Sequence, residues 1–182
     1  MVLKTIYVCG PTVYDYAHIG NWRTFVTADL LRRHLEHQGE TVRHAMNITD
    51  VDDKTIAGAA AAGLTLAEFT QKYEQAFLAD FAALNCRPPH ELPRATAYLP
   101  QMIVLVEKLL ATNHAYIKPA DGVYFKIASF ATYGQLSGRT LESLSKIRPA
   151  SEPASTRVKT AKFFDRSRSS LSRKVMRRGK SS

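Results

Sequence analysis

The first nine residues carry a strand-like pattern, and the period of apolar positions then changes. Lys4-Thr-Ile-Tyr-Val-Cys9 is rich in β-branched and aromatic residues and stops at Gly10-Pro11, which predicts a strand ended by a breaker. From Asn21 to Gln38 the spacing is helical, with Ala28, Leu31 and Leu35 on one face, Asp29, Arg33 and Glu36 off it, and Gly39 as the stop. Thr41–Asn47 then predicts a second strand. Strand, helix, strand is a βαβ unit, so the two strands are expected to pair in parallel. The acidic turn Thr49-Asp-Val-Asp-Asp-Lys54 leads into a helix over Thr55–Ala62; Asp50, Asp52 and Asp53 could form an acidic metal cluster, but Asp50 reads better as the helix cap, with Asp52 and Asp53 favouring the first turn. Thr65-Leu-Ala-Glu68 has the form of a capping box opening a helix that carries Leu66, Phe69, Tyr73, Phe77 and Leu84. After prolines 88, 89 and 93, a further helix places Met102, Leu105, Val106, Leu109 and Leu110 on one stripe. Ala115–Lys118 and Val123–Ile127 then read as a hairpin. The expected class is α/β.

Composition narrows the class further. With 182 residues, 45% of them hydrophobic and 23% charged, the chain can bury a core and fits one domain, or one domain and a tail. No apolar run approaches the ~20 residues of a membrane span, and no basic and apolar leader follows Met1, so neither a membrane nor a secretory route is expected. Cys9 and Cys86 cannot build a disulfide framework, which makes the cytoplasm the default location. A net charge of +9 would suggest a polyanionic partner. Yet residues 145–182 hold 12 of the 25 Lys and Arg and only 2 of the 16 Asp and Glu. The domain is therefore assigned to 1–144. The segment 145–182 reads as a basic, Ser/Arg/Lys-rich, disordered tail.

Candidate chemistry gathers after the first strand. At the carboxyl end of a parallel strand, where a helix begins, unpaired N–H groups and the positive end of the helix dipole suit a phosphate. His18 and Asn21 flank Gly20 there and can both donate hydrogen bonds to phosphate oxygens. Cys86 precedes Pro88-Pro89 and reads as structural. A lone cysteine in a strand, as Cys9 is, is most often simply buried. The other histidines are scattered.

His18-Ile-Gly-Asn21 resembles the His-Ile-Gly-His signature of class I aminoacyl-tRNA synthetases, with Asn in the fourth place. The longer strings Tyr7-Val-Cys-Gly-Pro-Thr-Val-Tyr-Asp15 and Asn47-Ile-Thr-Asp-Val-Asp-Asp-Lys54 resemble the cysteinyl-tRNA synthetase family, and the likeness continues to about Leu144. The resemblance implies the first half of a Rossmann-like parallel sheet with helices and a small inserted hairpin. It implies a nucleotide site at His18, Ile19, Gly20, Asn21 and Thr24, with His18 and Asn21 catalytic. A cysteinyl-adenylate pocket would comprise Cys9, Gly10, Pro11, Thr12, Asn47, Ile48 and Thr49, with Cys9 as first ligand of a zinc ion that selects the thiolate over serine's hydroxyl.

The implied activity is cysteine–tRNA ligation. Cysteine and ATP, with magnesium, give cysteinyl-adenylate, and the acyl group passes to the tRNA for cysteine. Two parts of the family pattern are missing from this sequence: the later cysteine, histidine and glutamate that complete the zinc site, and the Lys-Met-Ser-Lys-Ser motif. Leu144-Ser-Lys146 and the stretch from Met176 are faint look-alikes that read better as polar tail. The chain alone is thus expected to be weakly active or inactive, unless a second polypeptide supplies the remainder. Two alternatives stay open: a non-catalytic synthetase fragment whose basic tail binds RNA, and a cysteine ligase resembling mycothiol ligase, which delivers cysteine to an amino sugar.

Overall fold

The computed structural model describes residues 3–118, 122–138 and 155–157, and it divides after Tyr98 into two compact units. In the first unit, β1 (Leu3–Val8) and β2 (Thr41–Met46) pair in parallel from Leu3 opposite Thr41 to Val8 opposite Met46. The helix α1 (Ile19–His37) joins them, completing the βαβ unit expected from the pattern. On its other side β2 meets an extended segment through parallel bridges, Ala45 with Glu91 and Ile48 with Arg94. This places β2 between two neighbours and accounts for the burial of Val42, His44 and Met46 at every second position.

The apolar core of this unit joins Val13, Trp22, Phe25, Met46, Ile48, Phe77, Phe81 and Cys86. The Trp22 indole stacks on Phe77 at 5.1 Å and 8°, and Phe25 meets the same ring edge-on at 5.1 Å. These contacts fix the first turns of α1 against α3 (Leu66–Ala83).

The buried face of α1 differs from the one the leucines suggested. It consists of Trp22, Phe25, Asp29 and Arg32, while Leu30 and Leu31 are exposed. Asp29 accepts the Arg87 backbone N–H at 2.9 Å and Arg33 Nε at 2.6 Å; Arg32 donates to Glu36 at 2.8 Å and to the Pro88 carbonyl at 2.8 Å. Charged side chains can occupy this interior because their hydrogen bonds are made there.

The cap of α2 (Asp53–Ala62) also needs correction. Asp52, not Asp50, is the N-cap and accepts the Lys54 N–H at 3.1 Å. Asp50 is buried, accepts the Thr96 N–H at 2.9 Å and is bonded by the Thr96 hydroxyl, so it secures the segment after Arg94. For α3 the capping box is present as read, with Thr65 as N-cap and Glu68 returning a bond to its N–H at 2.9 Å. The Thr65 hydroxyl, which donates to Glu68 Oε2 at 2.6 Å, and then the Thr65 N–H hold the Glu68 carboxyl below its ordinary value.

In the second unit, α4 (Leu99–Ala111) precedes β3 (Ala115–Lys118) and β4 (Gly122–Lys126), which pair antiparallel. Leu105, expected on the buried stripe of α4, is exposed. β5 (Ser155–Arg157) adds to the free side of β4, so one stretch of the segment read as a tail is strand. Apart from β5, the disordered-tail expectation for 145–182 falls outside the described residues.

Candidate nucleotide and amino-acid site

The chain leaving β1 does not break away from the sheet at once. Gly10 N–H donates to Asn47 Oδ1 at 3.0 Å, and Thr12 bridges Thr49 in parallel, with Thr49 N–H donating to the Pro11 carbonyl and Val13 N–H to the Thr49 carbonyl. Residue 10 must be glycine on grounds of space: a Cβ there would lie 1.7 Å from the Asn47 carbonyl oxygen. The Asn47 side chain takes part in this closure at both its oxygen and its nitrogen. Its Oδ1 also accepts the Tyr7 hydroxyl at 3.0 Å, and its Nδ2 donates to Thr49 Oγ1 at 2.9 Å. The two strand ends are thus stitched together directly beside the following loop.

Beyond the stitch, the loop folds over the head of α1 and encloses a cleft of about 380 Å³. Cys9, Gly10, Pro11, Thr12, His18, Asn21 and Thr24 line it, so most of the residues singled out in the sequence share one concavity. Asn47, Ile48 and Thr49 are not on its wall. Ile48 is wholly buried in the core, and Asn47 and Thr49 are hydrogen-bonded to the loop at Gly10, Pro11 and Val13. Ile19 is 85% exposed and lies outside the wall as well.

His18 is the N-cap of α1, and it forms a reciprocal box with Asn21. The imidazole Nδ1 accepts the Gly20 N–H at 3.0 Å, while Asn21 Oδ1 accepts the His18 N–H at 3.1 Å. Gly20 is what admits the imidazole over the first turn, since a Cβ would stand 2.8 Å from His18 Cε1. This corrects the picture of bare backbone donors at the helix start. The N–H groups of Gly20, Asn21 and Trp22 are all taken by His18. The chemistry instead comes from the side chains. An accepting Nδ1 assigns the imidazole proton to Nε2, and a spent Asn21 Oδ1 leaves the Nδ2 hydrogens, so both residues present donors at the positive end of a helix 19 residues long.

Several wall residues escaped the sequence reading. Tyr14, Asp15, Tyr16, Lys54 and Tyr73 all contribute. Lys54 Nζ donates to the Tyr14 hydroxyl at 3.3 Å and lies 4.5 Å from the ring centroid, and Tyr16 meets Tyr73 edge-on at 5.2 Å. Tyr14, Asp15 and Lys54 lie inside the quoted strings and Tyr16 just beyond the first, but no spacing rule ties a helix-start lysine to a loop forty residues away. Tyr73 read only as part of a core stripe.

The Cys9 thiol is exposed on the cleft wall. Among the described residues no group of three or more His, Cys, Asp or Glu could hold a metal ion. One thiolate does not make a zinc site, and no step is assigned to zinc in this chain. Cys86 is buried, which pushes its thiol above the ordinary value and fits the structural reading. No helix among the described residues is long and apolar enough to cross a membrane.

The family model described as tRNA synthetases class I (C) catalytic domain matches residues 3–165. A cysteine–tRNA ligase of Chlamydia felis is 55% identical over 139 residues, and that of Protochlamydia amoebophila is 49% identical over 140. Each match covers 76% of this chain and 29% of the relative, so the chain spans under a third of the length of these curated relatives. Among solved structures, methionyl-tRNA synthetase of Mycobacterium tuberculosis in complex with methionyl-adenylate aligns with a TM-score of 0.56 at 21% identity, covering 62% of this chain and 23% of that one. The LeuRS–tRNA–LeuAMS ternary complex of Agrobacterium radiobacter K84 aligns at 0.55 and 22%, covering 62% and 15%. At such identities the structural likeness shows the fold, an α/β catalytic-domain architecture.

Proposed function

The chain belongs to the class I (C) tRNA-synthetase catalytic-domain family, and on that premise we propose that the cleft at the head of α1 is the nucleotide side of a cysteine-activating centre. One observation carries the reading: His18 and Asn21 cap each other through one atom apiece and turn their remaining donors out at the helix start, on the wall that Cys9, Thr12 and Thr24 complete.

In the proposed reaction a cysteine carboxylate oxygen attacks the α-phosphorus of magnesium-bound ATP. The new bond is carboxylate oxygen to phosphorus, and the bond to the bridging oxygen of pyrophosphate breaks. Negative charge grows on the phosphate oxygens, where donors held in place beforehand lower the barrier most. His18 Nε2 and Asn21 Nδ2 take that role. Gly10, Pro11 and Thr12 bound the amino-acid end beside Cys9, and Asn47 and Thr49 act by holding the loop. The adenylate would then pass its acyl group to a tRNA hydroxyl, releasing AMP, in the cytoplasm. The opposite side of this reaction is assigned, on this reading, to the part of the relatives' length that the chain does not span. No observation favours a second polypeptide as their source, nor the amino-sugar acceptor, nor RNA binding by the basic segment.

Calorimetric titration of the 182-residue chain with magnesium-ATP tests the reading. Binding is expected, with His18→Asn weakening it about tenfold for the loss of one charge-assisted hydrogen bond. Asn is itself a favoured N-cap, so the helix start is preserved in that variant. Absence of ATP binding, or an unchanged affinity in His18→Asn, contradicts the assignment. Cysteine-dependent pyrophosphate exchange, with zinc added, is expected to be far slower than for a full-length relative.

A further inference from the structure

Lys54 is out of place by the rules of its own helix. It is the second residue of α2, where the macrodipole favours acids such as the neighbouring Asp52 and Asp53 and disfavours a cation. A locally unfavourable choice on the wall of a cleft marks a position whose chemistry is used by something else. Its ammonium is directed at the loop: Nζ donates to the Tyr14 hydroxyl at 3.3 Å and sits 4.5 Å from the centre of that ring, and both residues line the same cleft as His18 and Asn21. A phenol and a ring face orient an ammonium without neutralising it. The remaining protons of Nζ are available to an anion.

We infer that Lys54, oriented by Tyr14, is the cation that receives phosphate oxygens of the nucleotide in this cleft. The inference rests on the nucleotide reading proposed above and adds a residue from a different helix to it. His18 and Asn21 supply neutral donors from the head of α1, and Lys54 supplies full charge from the head of α2. With Asp15 also on the wall, a net cationic element is what a triphosphate needs to enter. Arginine would serve the same charge, whereas methionine keeps the stem and removes it.

The test titrates the full chain and its Lys54→Met and Lys54→Arg variants with inorganic pyrophosphate, magnesium-ATP and free cysteine, alongside thermal unfolding. The expected result is about tenfold weaker binding of both phosphate ligands in Lys54→Met, recovery in Lys54→Arg, no change for cysteine, and an unfolding midpoint unchanged or raised. Phosphate affinities that do not move in Lys54→Met overturn the inference while leaving the nucleotide site intact. A lowered midpoint with unchanged affinities makes Lys54 a structural residue and overturns it too, and so does a loss confined to cysteine. If the unaltered chain binds neither pyrophosphate nor ATP, the nucleotide reading itself fails and takes this inference with it.

Discussion

A Cβ on Gly10 would lie 1.7 Å from the carbonyl oxygen of Asn47 and 2.9 Å from Met46 Cγ. The first of these neighbours is backbone in the strand-end closure and has no freedom to move aside. Gly10→Ala therefore has to part β1 from β2 at the mouth of the cleft. The expected cost lies at or beyond the upper end of the ~1–3 kcal/mol usual for overpacking. Urea unfolding measures it, and a midpoint equal to that of the unaltered chain would show that the closure is loose.

Asp50 and Asp52 stand two residues apart and do different work. Asp50→Ala leaves the half-buried Thr96 N–H and hydroxyl without their acceptor, a loss of about 1–3 kcal/mol. Asp52→Ala removes an exposed helix cap and is expected to cost about 1 kcal/mol. Denaturant unfolding of the two variants ranks them. The reverse order contradicts the assignment of the cap to Asp52.

His44 is buried on β2 with neither imidazole nitrogen hydrogen-bonded. Burial, followed by the nearby Arg32 guanidinium and His90, pushes its value below that of an ordinary histidine, and Asp29 opposes them. The unfolded chain then binds this proton more readily than the folded one. Stability is full above the ordinary value of about 6.5 and falls as the pH drops below it. The Glu36 carboxyl, lowered chiefly by its hydrogen bond from Arg32, adds a second loss only in the carboxylate range. Thermal unfolding between about pH 7.5 and about pH 5.5 is expected to fall less steeply for His44→Leu than for the unaltered chain. Equal slopes would clear His44 of the effect.

Ile19, Val26 and Leu30 are exposed at 85%, 42% and 66% and share one stripe of α1. An apolar stripe of this kind promotes association. Leu30→Glu is expected to raise the concentration at which the chain stays monomeric in sedimentation, with an unfolding midpoint within about 0.5 kcal/mol of the original. A large destabilisation would mean that Leu30 is covered after all.

This stripe also explains what sequence reading could recover. The βαβ unit was legible because β-branched runs, breakers and a helical period all agree over residues 4–47. The buried face of α1 was not, because periodicity ranks leucine above aspartate and arginine. Only the structure shows Arg87, Pro88 and Glu36 satisfying Asp29 and Arg32. At the site, the loop and the helix start were legible as contiguous strings. Lys54 was not, because its link to Tyr14 is a tertiary contact across forty residues. Ile48 sat inside a site-like string but belongs to the core, since strand residues alternate between faces whatever their neighbours do.

The proposed centre takes a nucleotide joined to cysteine at the head of α1. Amide chemical-shift mapping of the full chain with a non-hydrolysable sulfamoyl analogue of cysteinyl-adenylate tests it most directly. Saturable shifts are expected on Cys9–Thr24 and at Lys54, with those at the α1 start lost in His18→Asn. Shifts confined to residues after Tyr98, or none at concentrations that saturate a full-length relative, would contradict it.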